Sequence, residues 1–429
     1  MQVYVIALLT MTGFNACSSD SADTRATTKK DGGDAIPQSS TSKTNENNDG
    51  ISDTVTPTTG PVGPVGESDP PNVVVHKAGK WSSISDAGSP SARHRHKAFF
   101  SGDKMIVWGG RASGGVISAA GLGAIYNVKT NKWEFMQSKS APAGEFNNTM
   151  AHWLGEKLFV FGNEPSKSGL WNAALNLWSE VNTSVGVAYT SYSPSVFTGS
   201  SILVFGGGGS TNQKKHHAYD IKTNTWKAFS AVNAPKYADD HSLIWTGSKM
   251  IVWGGDPEDS VDPTNKGGGY DPIEDKWQPT TTVNAPTPRR EHYAVWTGTK
   301  MIVWDGCWET DSCKDDKASG GIYDPKTDSW TTMSNIRAPL KRRGATVIWT
   351  GKKMVVWGGG APFTPFNDGA EYDPSTDQWQ PMAIEGAPAA RYEHSAVWTG
   401  SCLIVWGGVI SFNPPKSAND GAKYCYEEY

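Results

Sequence analysis

Charge is sparse in this 429-residue sequence. Lys, Arg, Asp and Glu make up 19% of it, and the formal net charge is −4. Binding of nucleic acid needs a basic face, so this balance argues against such a partner. No apolar run reaches the roughly 20 residues of a membrane-spanning helix. Cysteine is also scarce, with five residues, whereas tryptophan is abundant, with 19. The chain can therefore bury a large core, and disorder of the whole chain is excluded.

The first 16 residues are predicted to be a signal peptide. They hold a short apolar stretch, from Val3 to Met11, that ends at Ala16-Cys17. Such a stretch is too short to span a bilayer and is typical of an export signal. A small residue followed by Cys resembles the lipobox of bacterial lipoproteins. The resemblance implies that Cys17 is lipidated, and Ser18 after it implies the outer membrane, facing the periplasm or the exterior. The alternative is an ordinary cleaved signal with an incidental cysteine.

The next segment lacks the residues that build a core. Residues 18–72 contain no Phe, Trp, Tyr, Leu, Met or Cys. Such a stretch cannot bury enough apolar surface to offset its conformational entropy. Residues 17–72 are therefore predicted to be the lipidated N-terminus and a disordered tether, and residues 73–429 the folded domain.

From Trp81 onward the sequence repeats about every 50 residues. Each copy contains an aliphatic run, an aromatic residue and a glycine pair or a close variant of it. The seven copies are MIVWGG (105–110), LFVFGN (158–163), ILVFGG (202–207), MIVWGG (250–255), MIVWDG (301–306), MVVWGG (354–359) and LIVWGG (403–408). Seven copies at one period indicate a single repeat architecture.

Two further signals divide each copy into four short antiparallel strands, a to d. A glycine stands seven residues before each glycine pair, where a tight a–b hairpin needs a positive φ. A second hairpin, Tyr-Asp-Pro-x-Thr-Asp-x-Trp or similar, joins strands c and d. The strand-d tryptophans are Trp81, Trp133, Trp178, Trp226, Trp277, Trp330 and Trp379.

This pattern of aliphatic run, Gly-Gly and spaced Tyr and Trp resembles the kelch repeat, which forms β-propellers with one blade per repeat. The resemblance implies an all-β, seven-bladed kelch propeller. Trp81 precedes every glycine-pair strand, and the last copy has no strand-d tryptophan. We therefore expect the strand around Trp81 to complete the last blade and close the ring, which leaves no open sheet edge.

The four cysteines after Cys17 are expected to form two disulfides. Cys307 and Cys313 lie in one loop, and Cys402 and Cys425 lie on strands b and c of the last blade. Disulfides are typical of exported proteins. Zinc is the alternative, but the spacing matches no common zinc finger, so neither a metal nor a cofactor is expected.

Binding residues are expected on one face of the ring, because the b–c loops vary while the a–b and c–d turns repeat. Trp308, beside Cys307, is the one tryptophan off the repeat pattern, and either binds a ligand or packs on its own blade. The kelch resemblance implies that an arginine column before strand a opens onto the channel mouth, where it could hold a carboxylate or could bind backbone groups between blades. Its members are Arg93, Arg289, Arg342 and Arg391. For the histidine column beside it, recurrence in four of the seven blades favours the structural role. Its members are His96, His241, His292 and His394.

The function predicted from these features is that of a membrane-anchored binding module. It would bind an unidentified protein or glycan through the face formed by the b–c and d–a loops, with no catalytic residue assigned. The alternative comes from the resemblance, since some bacterial kelch propellers are sialic-acid mutarotases. That activity would make Glu291 or Glu393 an acid–base residue and Arg289 or Arg391 a carboxylate clamp.

Overall fold

The computed structural model describes residues 79–113, 122–142, 150–162, 165–184, 194–206, 216–236, 238–257, 263–306, 318–361 and 364–426. These ranges contain seven four-stranded sheets, three two-stranded sheets and one turn of 3-10 helix, Pro165–Lys167. They include no helix long and apolar enough to cross a membrane. The signal peptide, Cys17 and the tether lie outside the described residues.

The seven four-stranded sheets are the blades, numbered 1 to 7 along the chain. The a strands are Lys97–Ser101, Met150–Trp153, Ser195–Phe197, Ser242–Trp245, Tyr293–Trp296, Thr346–Trp349 and Ser395–Trp398. The b strands are Lys104–Trp108, Lys157–Phe161, Ser201–Val204, Met250–Trp253, Met301–Trp304, Met354–Trp357 and Cys402–Trp406. The c strands are Gly123–Asn127, Gly169–Asn172, His217–Asp220, Gly267–Asp271, Gly320–Asp324, Gly369–Asp373 and Gly421–Cys425. The d strands of blades 1 to 6 are Lys132–Phe135, Leu177–Ser179, Thr225–Ala228, Lys276–Pro279, Ser329–Thr332 and Gln378–Pro381.

The predicted ring closure is confirmed. Strand d of blade 7 is Lys80–Ser83, which pairs antiparallel with Gly421–Cys425, with Trp81 opposite Tyr424. The a strands of neighbouring blades contact one another around the ring, so strand a of each blade lies nearest to the central axis. The seven a–b turn glycines all have positive φ, as the hairpin pattern predicts.

The apolar core lies between the blades. The described residues form seven clusters of buried side chains, and each cluster combines side chains from two neighbouring blades. At the closing junction, Trp81 is 7% exposed and its ring lies 5.1 Å from that of Trp357 in blade 6. The Trp81 indole N–H donates to Ala383 O at 2.8 Å, and each of the other six strand-d tryptophans makes the equivalent bond to the preceding blade.

A second recurring contact between blades is made by the c–d turns. In blades 1 to 6, an Asn or Asp at a left-handed position accepts two hydrogen bonds. One comes from the strand-c Tyr or Trp five residues earlier, and the other comes from a backbone N–H of the preceding blade. These residues are Asn131, Asn176, Asn224, Asp275, Asp328 and Asp377. The sequence pattern predicts these residues only as turn formers.

Short strands extend the loop face. Gly360–Ala361 pairs with Thr364–Pro365 in blade 6, and Val409–Phe412 pairs with Pro415–Ser417 in blade 7. Ala238–Asp239, which precedes blade 4, pairs with Asp256–Pro257 after that blade's strand b. These pairings brace parts of the b–c and d–a loops.

Candidate binding face at the channel mouth

The arginine column is buried. Arg93 and Arg391 are 0% exposed, and Arg289 and Arg342 are 5% and 3% exposed. Each guanidinium donates through Nη1 to the carbonyl of the first glycine-pair position in its own blade, as Arg391 does to Gly407 O at 3.0 Å. Each Nε also donates to the carbonyl two residues earlier.

The structural interpretation of the arginine column predicts backbone bonds between neighbouring blades, whereas these bonds to carbonyls lie within one blade. They satisfy carbonyls that the turn after strand b would otherwise leave buried and unpaired. The role of the four arginines in ligand binding stays a prediction. Where the column nears solvent, Arg342 pairs with Asp368 at 2.9 Å and Arg391 with Asp420 at 3.0 Å, and both carboxylates are about half exposed.

The histidines of the column pack each blade against the preceding one. His292 lies edge-on against Trp253 of the preceding blade, with ring centroids 5.0 Å apart, and His96 and His394 make the same contact with Trp406 and Trp357. Burial lowers the pKa of His292 and of His394 to about 3, so both rings are neutral at pH 7. These histidines therefore act as packing groups between blades.

The same contact explains the first glycine of each pair. A Cβ on Gly254 would lie 2.6 Å from the His292 ring, and Cβ atoms on Gly358 and Gly407 would clash equally with His394 and His96. In blade 5 the first position of the pair is Asp305, and there the next blade has Ala345 in place of histidine. Asp305 keeps the left-handed φ of 64° and accepts a hydrogen bond from Arg342 N at 2.9 Å. The exchange of Gly–His for Asp–Ala was present in the sequence, but only the packing shows that the two positions touch.

A ring of residues surrounds the mouth of the central channel. Its described members, one before each histidine-column position, are Arg95, Asp240, Glu291, Gly344 and Glu393, all with φ between 54° and 61°. We call this set the mouth ring. Their backbones are linked across blades, since Arg95 N donates to Glu393 O at 2.9 Å and Glu393 N to Gly344 O at 2.7 Å.

The side chains of the mouth ring form ion pairs. Arg95 pairs with Glu393 at 2.7 Å, and Arg343 pairs with Glu291 at 2.7 Å. The two glutamates weighed as acid–base residues thus lie at the channel mouth, but they pair with these arginines, while Arg289 and Arg391 bond to backbone carbonyls. The mutarotase assignment stays a prediction.

The carboxyl of Asp240, in the mouth ring, has a shifted pKa. Burial, together with the nearby charges of Glu291, Asp239 and Asp256, raises its pKa to about 7. Arg290, paired with Asp256, opposes this shift. Blades 4 and 5 therefore present a cluster of carboxylates to the channel mouth. Within the described ranges, no three His, Cys, Asp or Glu side chains are placed to hold a metal ion.

The cysteine predictions divide between the described and undescribed parts of the chain. Cys402 and Cys425 form the expected disulfide between directly opposed positions of strands b and c in blade 7. Cys307, Cys313 and Trp308 lie outside the described residues.

Comparisons with known proteins agree with the fold. Residues 166–343 match the family described as the KLHDC2/KLHL20/DRC7 Kelch-repeats domain. The chain is 24% identical over 310 residues to acyl-CoA-binding domain-containing protein 4 of Arabidopsis thaliana, which covers 66% of this chain and 45% of that protein. It is 25% identical over 279 residues to Kelch-like protein 38 of Homo sapiens, covering 61% and 43% respectively. The chain thus spans less than half the length of these relatives.

Taken with the strand order and the repeat, these similarities define the class of protein. The chain is a seven-bladed kelch β-propeller, closed by its own N-terminal strand.

Proposed function

We propose that this propeller is a protein-binding module that holds its partner on the face formed by the b–c and d–a loops. Kelch propellers are typically protein-binding modules, and this chain is similar to a kelch-repeats family and to Kelch-like protein 38. The observation that carries the proposal is the difference between the two faces. The a–b and c–d turns repeat one bonding pattern, whereas the loop face carries the mouth ring, its ion pairs and hairpins of differing sequence.

Charge on the mouth ring suits recognition. Ion pairs at the edge of a channel orient an incoming partner and reject partners of the wrong charge. The backbone bonds between blades hold the ring in place, so binding costs little conformational entropy there. A glycan in place of a protein is the second ligand class, and the experiment below separates the two.

Site-specific photo-crosslinking in the native cell tests the face. A crosslinking amino acid is placed at Lys416, exposed in the blade 7 hairpin, or at Lys326, exposed in the c–d turn of blade 5. We expect a discrete protein adduct from position 416 and none from position 326. An adduct from 326 alone, or none from 416, would overturn the proposed face. A glycan adduct from 416 would keep the face and replace the partner class.

We further propose that Cys17 is lipidated and that residues 17–72 tether the propeller to the outer membrane. The proposal rests on the Ala16-Cys17-Ser18 sequence and on the composition of the tether. The wild-type chain should partition into the detergent phase and fractionate with outer membranes, and Cys17→Ser should move it to the aqueous phase. Equal partitioning of the two proteins would contradict lipidation.

A further inference from the structure

One described carboxylate of the mouth ring, that of Asp240, has no partner. Glu393 pairs with Arg95 and Glu291 pairs with Arg343, in both cases at 2.7 Å. The Asp240 carboxylate makes no ion pair and no side-chain hydrogen bond with the residues that the structure describes. Asp240 is only partly buried, so solvent, and therefore a ligand, can reach it.

In the next blade an arginine fills the equivalent place. Arg343 stands one residue before the mouth-ring position of blade 6 and pairs with Glu291 of blade 5. Arg290 stands at the same position of blade 5, but it pairs with Asp256 and not with Asp240 of blade 4. Asp240 therefore lacks the guanidinium that Glu291 has, although both carboxylates belong to the same ring.

Backbone contacts place these carboxylates together. Glu291 N donates to Asp240 O at 3.3 Å, which joins the mouth-ring positions of blades 4 and 5. Asp239, next to Asp240 in the chain, lies directly opposite Asp256 in the short strand pair that precedes and follows the first two strands of blade 4. Asp239, Asp240, Asp256 and Glu291 thus form one cluster, with Arg290 and Arg343 as its paired cations.

The chemistry of the cluster favours an organic cation. Burial and the charges of Glu291, Asp239 and Asp256 oppose ionisation of Asp240, and an added positive charge would relieve this repulsion. Within the described ranges, no three His, Cys, Asp or Glu side chains are placed to hold a metal ion. A guanidinium or an ammonium group needs only one or two carboxylates, as the pairs of Arg95 and Arg343 show in the same ring.

We propose that Asp240 binds a basic side chain, Arg or Lys, that the partner protein inserts into the channel mouth. The inserted group would take the place at Asp240 that Arg343 takes at Glu291. This inference rests on the proposed function, and it adds the charge of the partner residue that reaches the mouth ring.

Carbodiimide labelling of the full chain tests the site with a defined probe. Carboxyl groups are amidated with glycine ethyl ester in the presence of N-acetylarginine amide or N-acetylglutamine amide at equal ionic strength, and the products are read by peptide mass spectrometry. We expect the arginine compound to lower the labelling of Asp240 roughly twofold or more and the glutamine compound to leave it unchanged. Glu134, exposed on strand d of blade 1, is the internal control and should be labelled equally in both solutions. Equal labelling of Asp240 in both solutions would overturn the site.

The protein adduct expected from a crosslinker at position 416 connects the site to the partner. Asp240→Asn should lower the yield of this adduct, and Asp240→Lys should abolish it, because repulsion replaces attraction. Asparagine tolerates the positive φ of 58° at this position, so Asp240→Asn should keep the wild-type Tm. Glu134→Lys is the matched control and should leave the yield unchanged. A wild-type yield from Asp240→Lys would overturn the inference.

The two experiments separate this inference from the proposed function. Protection of Asp240 by the arginine compound without an adduct from position 416 would overturn the proposed face, and the partner as the source of the cation, while the cation site would stand. An adduct from position 416 without protection of Asp240 would keep the face and overturn the cation site.

Discussion

Blade 7 and the other six blades reach the same four-stranded sheet by different means. In blades 1 to 6, strands c and d are joined by a turn whose Asn or Asp ties the blade to the preceding one. In blade 7 strand d comes from the other end of the chain, so no such turn exists, and Gly79 occupies the equivalent position. A Cβ on Gly79 would lie 2.6 Å from the Tyr424 ring, so the tyrosine fills the space that the turn residue uses elsewhere.

Blade 7 has two contacts of its own, one within the blade and one to the preceding blade. The Cys402–Cys425 disulfide joins strands b and c, and Tyr426 OH donates to Glu371 Oε1 of blade 6 at 2.7 Å. Glu371 is also paired with Lys353 at 2.9 Å. The comparison teaches that a closed ring can do without one c–d turn when strand d still pairs with strand c and its tryptophan still bonds to the preceding blade.

Acid should destabilise the interfaces between all the blades, including the one that closes the ring. This is the largest loss of folding stability among the predictions. Burial holds the pKa of seven histidines below its ordinary value: His94, His96, His152, His216, His241, His292 and His394. Because the folded pKa is depressed, the unfolded chain takes up protons first, and stability falls as pH drops below about 6.5.

Two carboxyls act in the opposite sense in this pH range. The pKa of Asp240 is raised to about 7 and that of Asp305 to about 6, so protonating them favours the fold as pH falls. The net loss between pH 7.5 and 5.5 should be about 5 kcal/mol, at roughly 1 kcal/mol or more for each histidine. Urea unfolding at the two pH values measures it, and equal stability at both would contradict neutral buried histidines.

Trp81→Ala should cost about 4 kcal/mol, the typical loss for truncating a buried aromatic side chain. The matched control is Trp277→Ala, because Trp277 is 4% exposed and makes the same indole hydrogen bond in blade 4. The two free energies of unfolding should be similar. Hydrogen exchange should distinguish the variants, since only Trp81→Ala releases the terminal strand and deprotects residues 421–425. Equal exchange of this segment in both variants would show that closure does not depend on Trp81.

Removing the disulfide should cost about 3 kcal/mol, because the link closes a loop with a sequence separation of 23. Cys402→Ser/Cys425→Ser, compared with the oxidised wild type in urea, measures the loss. Reduction of the wild type with dithiothreitol should reproduce it, and should leave the stability of the double variant unchanged. A double variant as stable as the oxidised protein would mean that strand pairing alone holds blade 7.

Asp275→Ala should cost about 1–2 kcal/mol, the smallest of these effects, because an exposed carboxylate stops accepting from Tyr270 OH and Ser230 N. Asp275→Asn is the matched control and should cost less than about 0.5 kcal/mol, since an amide oxygen accepts the same bonds. Blades 1 to 3 already use asparagine there.

The effect of pH on Asp275 can be tested by comparing the wild type with Asp275→Asn. The hydrogen bonds from Ser230 N and Tyr270 OH hold the pKa of Asp275 below its usual value. Its contribution is therefore present above the unfolded pKa of about 3.9 and is lost as pH falls through the folded pKa. Chemical unfolding between pH 5 and 3 should show a shallower loss for Asp275→Asn than for wild type. Parallel curves would show that the carboxylate adds nothing beyond its acceptor oxygen.

The candidate site was only partly predictable from the sequence. The arginine and histidine columns were visible as columns, because they recur at one spacing. The bonds of the arginines to buried carbonyls and the packing of the histidines against tryptophan rings were not visible, because a column does not show which way a side chain points. Arg95 and Asp240 were missed altogether. The sequence does carry a signal for them. One position before strand a is charged in four blades and is glycine in another, and its backbone has the positive φ that favours glycine.

The sequence by itself determined the number of blades, the strand order within each blade, the closure by Trp81 and the pairing of Cys402 with Cys425. These follow from local periodicity and from strands that are neighbours in sequence or at the chain ends. Only the tertiary structure decided that the first glycine of a pair makes room for the histidine of the next blade. It also decided that the c–d turn holds the preceding blade. Those features depend on contacts between residues about 40 to 50 positions apart in different blades, and their geometry is set only when the blades pack.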